Sequence, residues 1–101
     1  MTYDIQFVDT PVNAYLEKLA SEKLYSLGRK FDWIINADII LKEIKDPKGK
    51  GHICEIKLSL PGPMIFASSN EEGLEAAIAE TVRDLERQCK KRKGEFRPHA
   101  F

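Results

Sequence analysis

Between residues 36 and 69 three short segments alternate apolar and polar residues, and two Gly/Pro-rich turns separate them. In "NADIILKEI", Ala37, Ile39 and Leu41 fall on one side, with Asp38, Ile40 and Lys42 on the other. In "HICEIKLSL", Cys54, Ile56, Leu58 and Leu60 oppose Ile53, Glu55, Lys57 and Ser59. In "MIFASS", Ile65 and Ala67 oppose Phe66 and Ser68. A period of two over so few residues is the mark of a strand with one buried face. "KDPKGKG" and "PGP" are polar or tight connections, so the three strands are expected to form an antiparallel meander.

Helical periodicity flanks this meander. After a strand-like "YDIQFVD" at 3–9, with Tyr3, Ile5 and Phe7 alternating, a helix is expected over 11–27. Thr10 can cap it, Pro11 suits its first position, and Gly28 can end it. Its stripe is Val12, Leu16, Leu19, Ala20, Leu24 and Leu27. "RKFDWI" then connects to the meander, with Phe31 and Trp33 as anchors. A second helix is expected from about 71 to 93, capped by Asn70 and stopped by Gly94. Its stripe is Leu74, Ala77, Ile78, Val82, Leu85 and Cys89. The fold class is therefore α+β, in the order β-α-β-β-β-α. Each helix has a single apolar stripe, so both must cover the same face of a four-stranded sheet and leave the other open. Residues 1–93 read as one domain and 94–101 as a flexible C-terminal tail.

Composition excludes several classes. Of the 101 residues, 43% are hydrophobic and 32% charged, which fits a globular domain and not a disordered chain. No apolar run approaches the roughly 20 residues that span a bilayer, and "MTYDIQFVD" has no basic region of a signal peptide. A cytoplasmic protein is expected. Cys54 and Cys89 stand on core faces without a CxxC pattern, as buried free thiols would. His52 and His99 have no clustered partners, so neither a metal nor another cofactor is expected. "DPKGKG" lacks phosphate-loop spacing, and there is no nucleophile elbow, no HExxH and no supported acid/base pair. An enzyme is not expected.

The charge distribution is informative where net charge is not. The chain carries 16 bases and 16 acids. Residues 83–97 hold seven bases against three acids, a net +4, and the remainder balances it at −4. On a helical wheel with Leu74 at zero, Leu85, Ile78, Cys89 and Val82 fall within roughly 20° to 80°. Lys90, Arg83, Arg87 and Lys91 fall at roughly 160° to 260°, opposite the apolar arc. Lys93 widens this ridge, whereas Arg92 points back toward the apolar side. One account is a solvated face whose cations complement the helix dipole and pair with Glu80 or Asp84. That needs only one or two cations in the last turn, and the ridge begins at Arg83. The other account is an anionic partner, with nucleic acid the general candidate. The arrangement of a helix ridge beside an antiparallel sheet is like that of double-stranded RNA modules. Lys23, in line with the first helix's stripe, either snorkels or binds. Lys42 and Lys57 either pair with Asp38 and Glu55 on the open sheet face or bind.

The features "EKL", "FDWI", "ILK", "CEIKLSLPG", "IFASS" and "EAAIAETVRDLERQCKKRK" stand in an order and spacing that resembles the ribosome hibernation promoting factor family, also called the sigma-54 modulation or ribosome-associated inhibitor family. The resemblance covers about residues 1–93. It implies the same β-α-β-β-β-α fold and a non-enzymatic factor of the small ribosomal subunit. Such a factor sits at the decoding region, contacts 16S ribosomal RNA, excludes messenger and transfer RNA, and inhibits translation in slow growth. Carried over by position, the RNA-binding residues are Arg83, Arg87, Lys90, Lys91 and Lys93, with Lys23 and Lys42. Long family members carry a second domain that pairs ribosomes. This chain resembles a short form, expected to be a monomer off the ribosome. The alternative is a regulator that binds an acidic protein partner, such as a transcription factor.

Overall fold

The computed structural model describes residues 1–96. Its elements are β1 (Thr2–Val8), α1 (Ala14–Lys30), β2 (Asn36–Glu43), β3 (His52–Ser59), β4 (Ile65–Glu71) and α2 (Leu74–Phe96). The order is the β-α-β-β-β-α of the sequence reading. The sheet runs β1-β2-β3-β4. β1 and β2 are parallel, with Ile5 beside Ile39 and Phe7 beside Leu41, so α1 is the crossover between them. β2, β3 and β4 are antiparallel, with Ile39 opposite Ile56 and Ile56 opposite Ala67. Ala37, Ile39, Leu41, Cys54, Ile56, Leu58, Ile65 and Ala67 are buried on one face, under Leu16, Ala20, Leu24 and Leu27 of α1 and Leu74, Ala77, Ile78, Leu85 and Cys89 of α2. Burying a side chain such as Leu24 or Leu85 fully contributes about 1.5–3 kcal/mol.

Several boundaries differ from expectation, each for a local reason. β1 ends at Val8 because Asp9 takes a left-handed conformation, φ 56°. Tyr3 faces the helix side as the alternation requires, in register with Ala37, but is incompletely covered there. It stands half exposed on the edge strand beside Ser21, Tyr25 and Ser26. The cap of α1 is Asn13, whose Oδ1 accepts from the Leu16 N–H at 3.1 Å, and not Thr10. Val12 consequently lies before the helix, 73% exposed. Gly28 does not stop α1. Met1 packs over it, with Cε 3.2 Å from where a Cβ would sit, and the helix closes at Phe31.

At the other end, Asn70 belongs to β4 and does not cap α2. Its side chain accepts from the Gly51 N–H at 2.7 Å and donates to Asp46 at 3.2 Å. Gly94 lies inside α2, which continues three residues beyond the expected end. Phe96 there meets Trp33 edge-on at 5.0 Å, and Trp33 meets Phe31 at 5.6 Å. That aromatic contact offsets the helix-interior cost of glycine, about 1 kcal/mol. The remainder of the expected tail, residues 97–101, lies outside the described residues. Among the described residues no helix is long and apolar enough to cross a membrane.

Thr81 is the buried polar residue that the stripe reading omitted. Its hydroxyl is satisfied by Ala77 O at 2.8 Å and by Cys54 O at 3.2 Å, which ties α2 to β3. Cys54 and Cys89 are free, wholly buried thiols. Burial pushes Cys54 up to about 12 and Cys89 to about 11. Both stay protonated in the folded chain while unfolded cysteines ionise from about 8.5 upward. The unfolded state then binds fewer protons, so stability present below about pH 8.5 is lost as pH rises toward 11–12. Each thiol should add about 1.4 kcal/mol per pH unit to that loss. Urea melts from pH 8 to 10.5 should therefore fall more steeply for the native chain than for a Cys54→Ala/Cys89→Ala variant. Equal slopes would rule this out.

Candidate nucleic-acid interface

The second helix carries its bases on the side away from the sheet because its apolar side is taken by the core. Arg83, Arg87, Lys90, Lys91 and Lys93 are all exposed, over a rise of about 15 Å from first to last. The structure thus brings together five of the seven residues singled out from sequence. Acids of the same helix accompany three of them. Arg83 pairs with Glu80, Arg87 with Asp84 at 3.6 Å, and Lys90 with Glu86 at 3.5 Å. These basic side chains remain 61%, 64% and 69% exposed, so the pairs are solvated ones worth about 0–1 kcal/mol and easily exchanged for a phosphate. Among the described residues Lys91 and Lys93 have no ion pair.

Lys23 joins this set across the groove between the helices. A cavity of about 300 Å³ there is lined by Lys23 and Lys30 of α1 and by Val82 and Glu86 of α2, among others. Lys23 is half-buried, its stem against the apolar wall. Lys30 is a basic residue of this groove that the sequence reading did not single out. It lies seven residues after Lys23, two helical turns along the same side. Its Nζ meets Glu86 Oε2 at 3.1 Å, the oxygen that also faces Lys90. The hydrogen bond from Lys30, with the charges of both lysines, holds the Glu86 carboxyl below its ordinary value. Glu86 therefore joins the two helices and holds two cations at the mouth of the groove.

Lys42 is elsewhere. It lies on the open face of β2, across the sheet from both helices, and pairs with Glu55 at 3.1 Å. Arg92 also stands apart from the ridge, only 15% exposed. It donates to Pro61 O at 3.2 Å and pairs with Glu95 at 3.4 Å, latching the helix to the β3–β4 turn. Among the described residues no group of three or more His, Cys, Asp or Glu could hold a metal ion.

The arrangement is a cationic helix face with a groove of mixed charge beside it, on a sheet of known order. Two solved structures share the fold that carries it. One is a ribosomal subunit interface protein from Coxiella burnetii, with a TM-score of 0.82 and 26% identity over 93% of this chain and 99% of that one. The other is the N-terminal domain of Thermus thermophilus Protein Y, with a TM-score of 0.73 and 25% identity over 89% of this chain and 93% of that one. No curated protein sequence matches at a significant level. A family model described as sigma 54 modulation protein / S30EA ribosomal protein matches residues 3–97, nearly the whole length. On that match the chain belongs to the sigma-54 modulation / S30EA ribosomal protein family.

Proposed function

We propose that this chain is a ribosome-binding regulator of translation. It docks on the small subunit at the decoding region through phosphates of 16S ribosomal RNA, and so excludes messenger and transfer RNA in slow growth. The observation that carries the reading is the exposed ridge Arg83–Arg87–Lys90–Lys91–Lys93, faced across a groove by Lys23 and Lys30. Core packing explains why these residues are outside but not why they are all basic. A polyanion does, because each phosphate neutralised by Arg or Lys releases condensed counterions. Family membership and the two structural neighbours, one described as a ribosomal subunit interface protein, supply the ribosome as the polyanion. Lys42 acts here only if the RNA also reaches the open sheet face, since its carboxylate partner Glu55 must first be displaced.

Cosedimentation with purified small subunits tests the proposal. Pelleting at low salt should weaken with added salt at a log–log slope of roughly −3 to −4, as about four phosphate contacts require. No pelleting at low salt, or pelleting indifferent to salt, would refute it. Retained binding to an acidic protein under those conditions would favour a protein-interaction regulator.

A further inference from the structure

Phe66 is a large aromatic residue that the core does not use. It stands on the open side of β4 and is 54% exposed, and Met64, two positions earlier, is 60% exposed. Its cross-strand partner on β3 is Lys57. Directly opposed residues have Cβ atoms about 4.5–5.5 Å apart, so the Lys57 ammonium can reach the edge of the ring. Lys57 is exposed and makes no ion pair among the described residues. Its other cross-strand neighbour, Asp38, accepts a hydrogen bond from Asn36 at 3.3 Å instead.

The backbone of Phe66 is also joined to the basic helix. Gln88 of α2 donates to the Phe66 carbonyl at 3.0 Å and so holds the outer edge of β4 against the helix. Next to that bond Ile65, Gln88, Lys91, Arg92 and Glu95 line a notch of about 240 Å³. Lys91 therefore borders the same strand edge from which Phe66 projects to the other face. A chain that follows the ridge from Arg87 to Lys91 arrives at an exposed ring with a free cation beyond it.

We propose that Phe66 is a stacking platform for one unpaired base of single-stranded RNA whose phosphates lie along Arg87 and Lys91, with Lys57 neutralising the next phosphate. The proposal rests on the RNA reading of the ridge given above. An aromatic face stacks on any base, so the platform adds affinity for unpaired RNA without sequence preference. A base inside a duplex has both faces covered by its neighbours and cannot use it. The ridge serves either form of RNA, and the ring serves only the single strand.

The test compares a labelled 12-nucleotide oligouridylate with a blunt RNA duplex of similar charge. Phe66→Ala should weaken binding of the single strand by about five- to 150-fold, the effect of losing one stacked base. Binding of the duplex, and the salt slope with either RNA, should stay unchanged, because no phosphate contact is removed. Phe66→Trp should restore single-strand binding. Equal losses on the two RNAs, or no loss on the single strand, would overturn the platform and leave the ridge reading intact. If the native chain binds neither RNA, the ridge reading fails and the platform with it.

Discussion

Arg87→Glu combined with Lys91→Glu should abolish cosedimentation with the small subunit while the fold survives. The double change replaces two cations by two anions in the middle of the ridge, a swing of four charges. Two of about four counterion-releasing contacts disappear, so the residual salt slope should roughly halve. Two carboxylates then oppose the remaining phosphate contacts, and affinity should fall by more than about 100-fold near 0.15 M salt. The structural cost is small because both side chains are exposed. Losing the solvated Arg87–Asp84 pair costs about 0–1 kcal/mol, and two like charges four residues apart add a few tenths. Tm should therefore drop by less than about 10 °C. Lys42→Glu is the matched control, as Lys42 lies on the other face of the sheet. It should leave most of the binding in place. A double variant that still pelleted would show that the ridge is not the RNA-facing surface, and one that unfolded would show that the ridge is structural.

What could be read ahead of the structure follows the physics of each signal. Period-two alternation between Gly/Pro turns has few solutions, so the meander and its buried set from Ala37 to Ala67 were legible. The position of the ridge was legible too, because core residues of one helix fix the angle of all others. End signals were not. Thr10 and Asn13 are both competent caps three residues apart, and only the path out of β1 decides between them. Gly28 and Gly94 read as stops because their neighbours, Met1 and the Trp33–Phe96 contact, come from distant sequence. Thr81 looked polar, and its burial depends on Cys54 O lying beneath it. The pairing of Lys30 with Glu86, 56 residues apart in sequence, depends on how their two helices come to lie side by side. Interhelical placement leaves no local periodicity to find. Lys42 shows the complementary limit. Its strand face was correct from alternation, yet alternation says nothing about whether a residue on that face shares a surface with residues on the helices.

Gly51→Ala should be the most destabilising glycine substitution in the β2–β3 connection, and Gly49→Ala in the same loop calibrates it. Both glycines have positive φ, 122° at Gly51 and 85° at Gly49. A side chain at Gly49 would meet nothing within 4 Å, so alanine there pays only for the left-handed backbone, about 1–2 kcal/mol. At Gly51 a Cβ would sit 2.3 Å from the Ile44 carbonyl oxygen. That backbone cannot step aside cheaply, because the Ile44 N–H donates to Gly51 O at 2.8 Å and the Gly51 N–H donates to Asn70 at 2.7 Å. Relieving the clash breaks one or both bonds and loosens Asn70 from Asp46, so strain and lost hydrogen bonds combine to about 3 kcal/mol or more. For a domain of this size that corresponds to a Tm lowered by about 12–24 °C, against about 4–16 °C for Gly49→Ala. Equal shifts in the two variants would mean that the loop yields without breaking its bonds. Asn70 stands near the end of β4, four residues before α2 begins. By holding Gly51 it ties the far hairpin to the start of the helix that bears the ridge. Gly51→Ala should therefore weaken subunit binding only as far as it unfolds the chain, and at 10 °C, well below its melting range, binding should match that of the native protein.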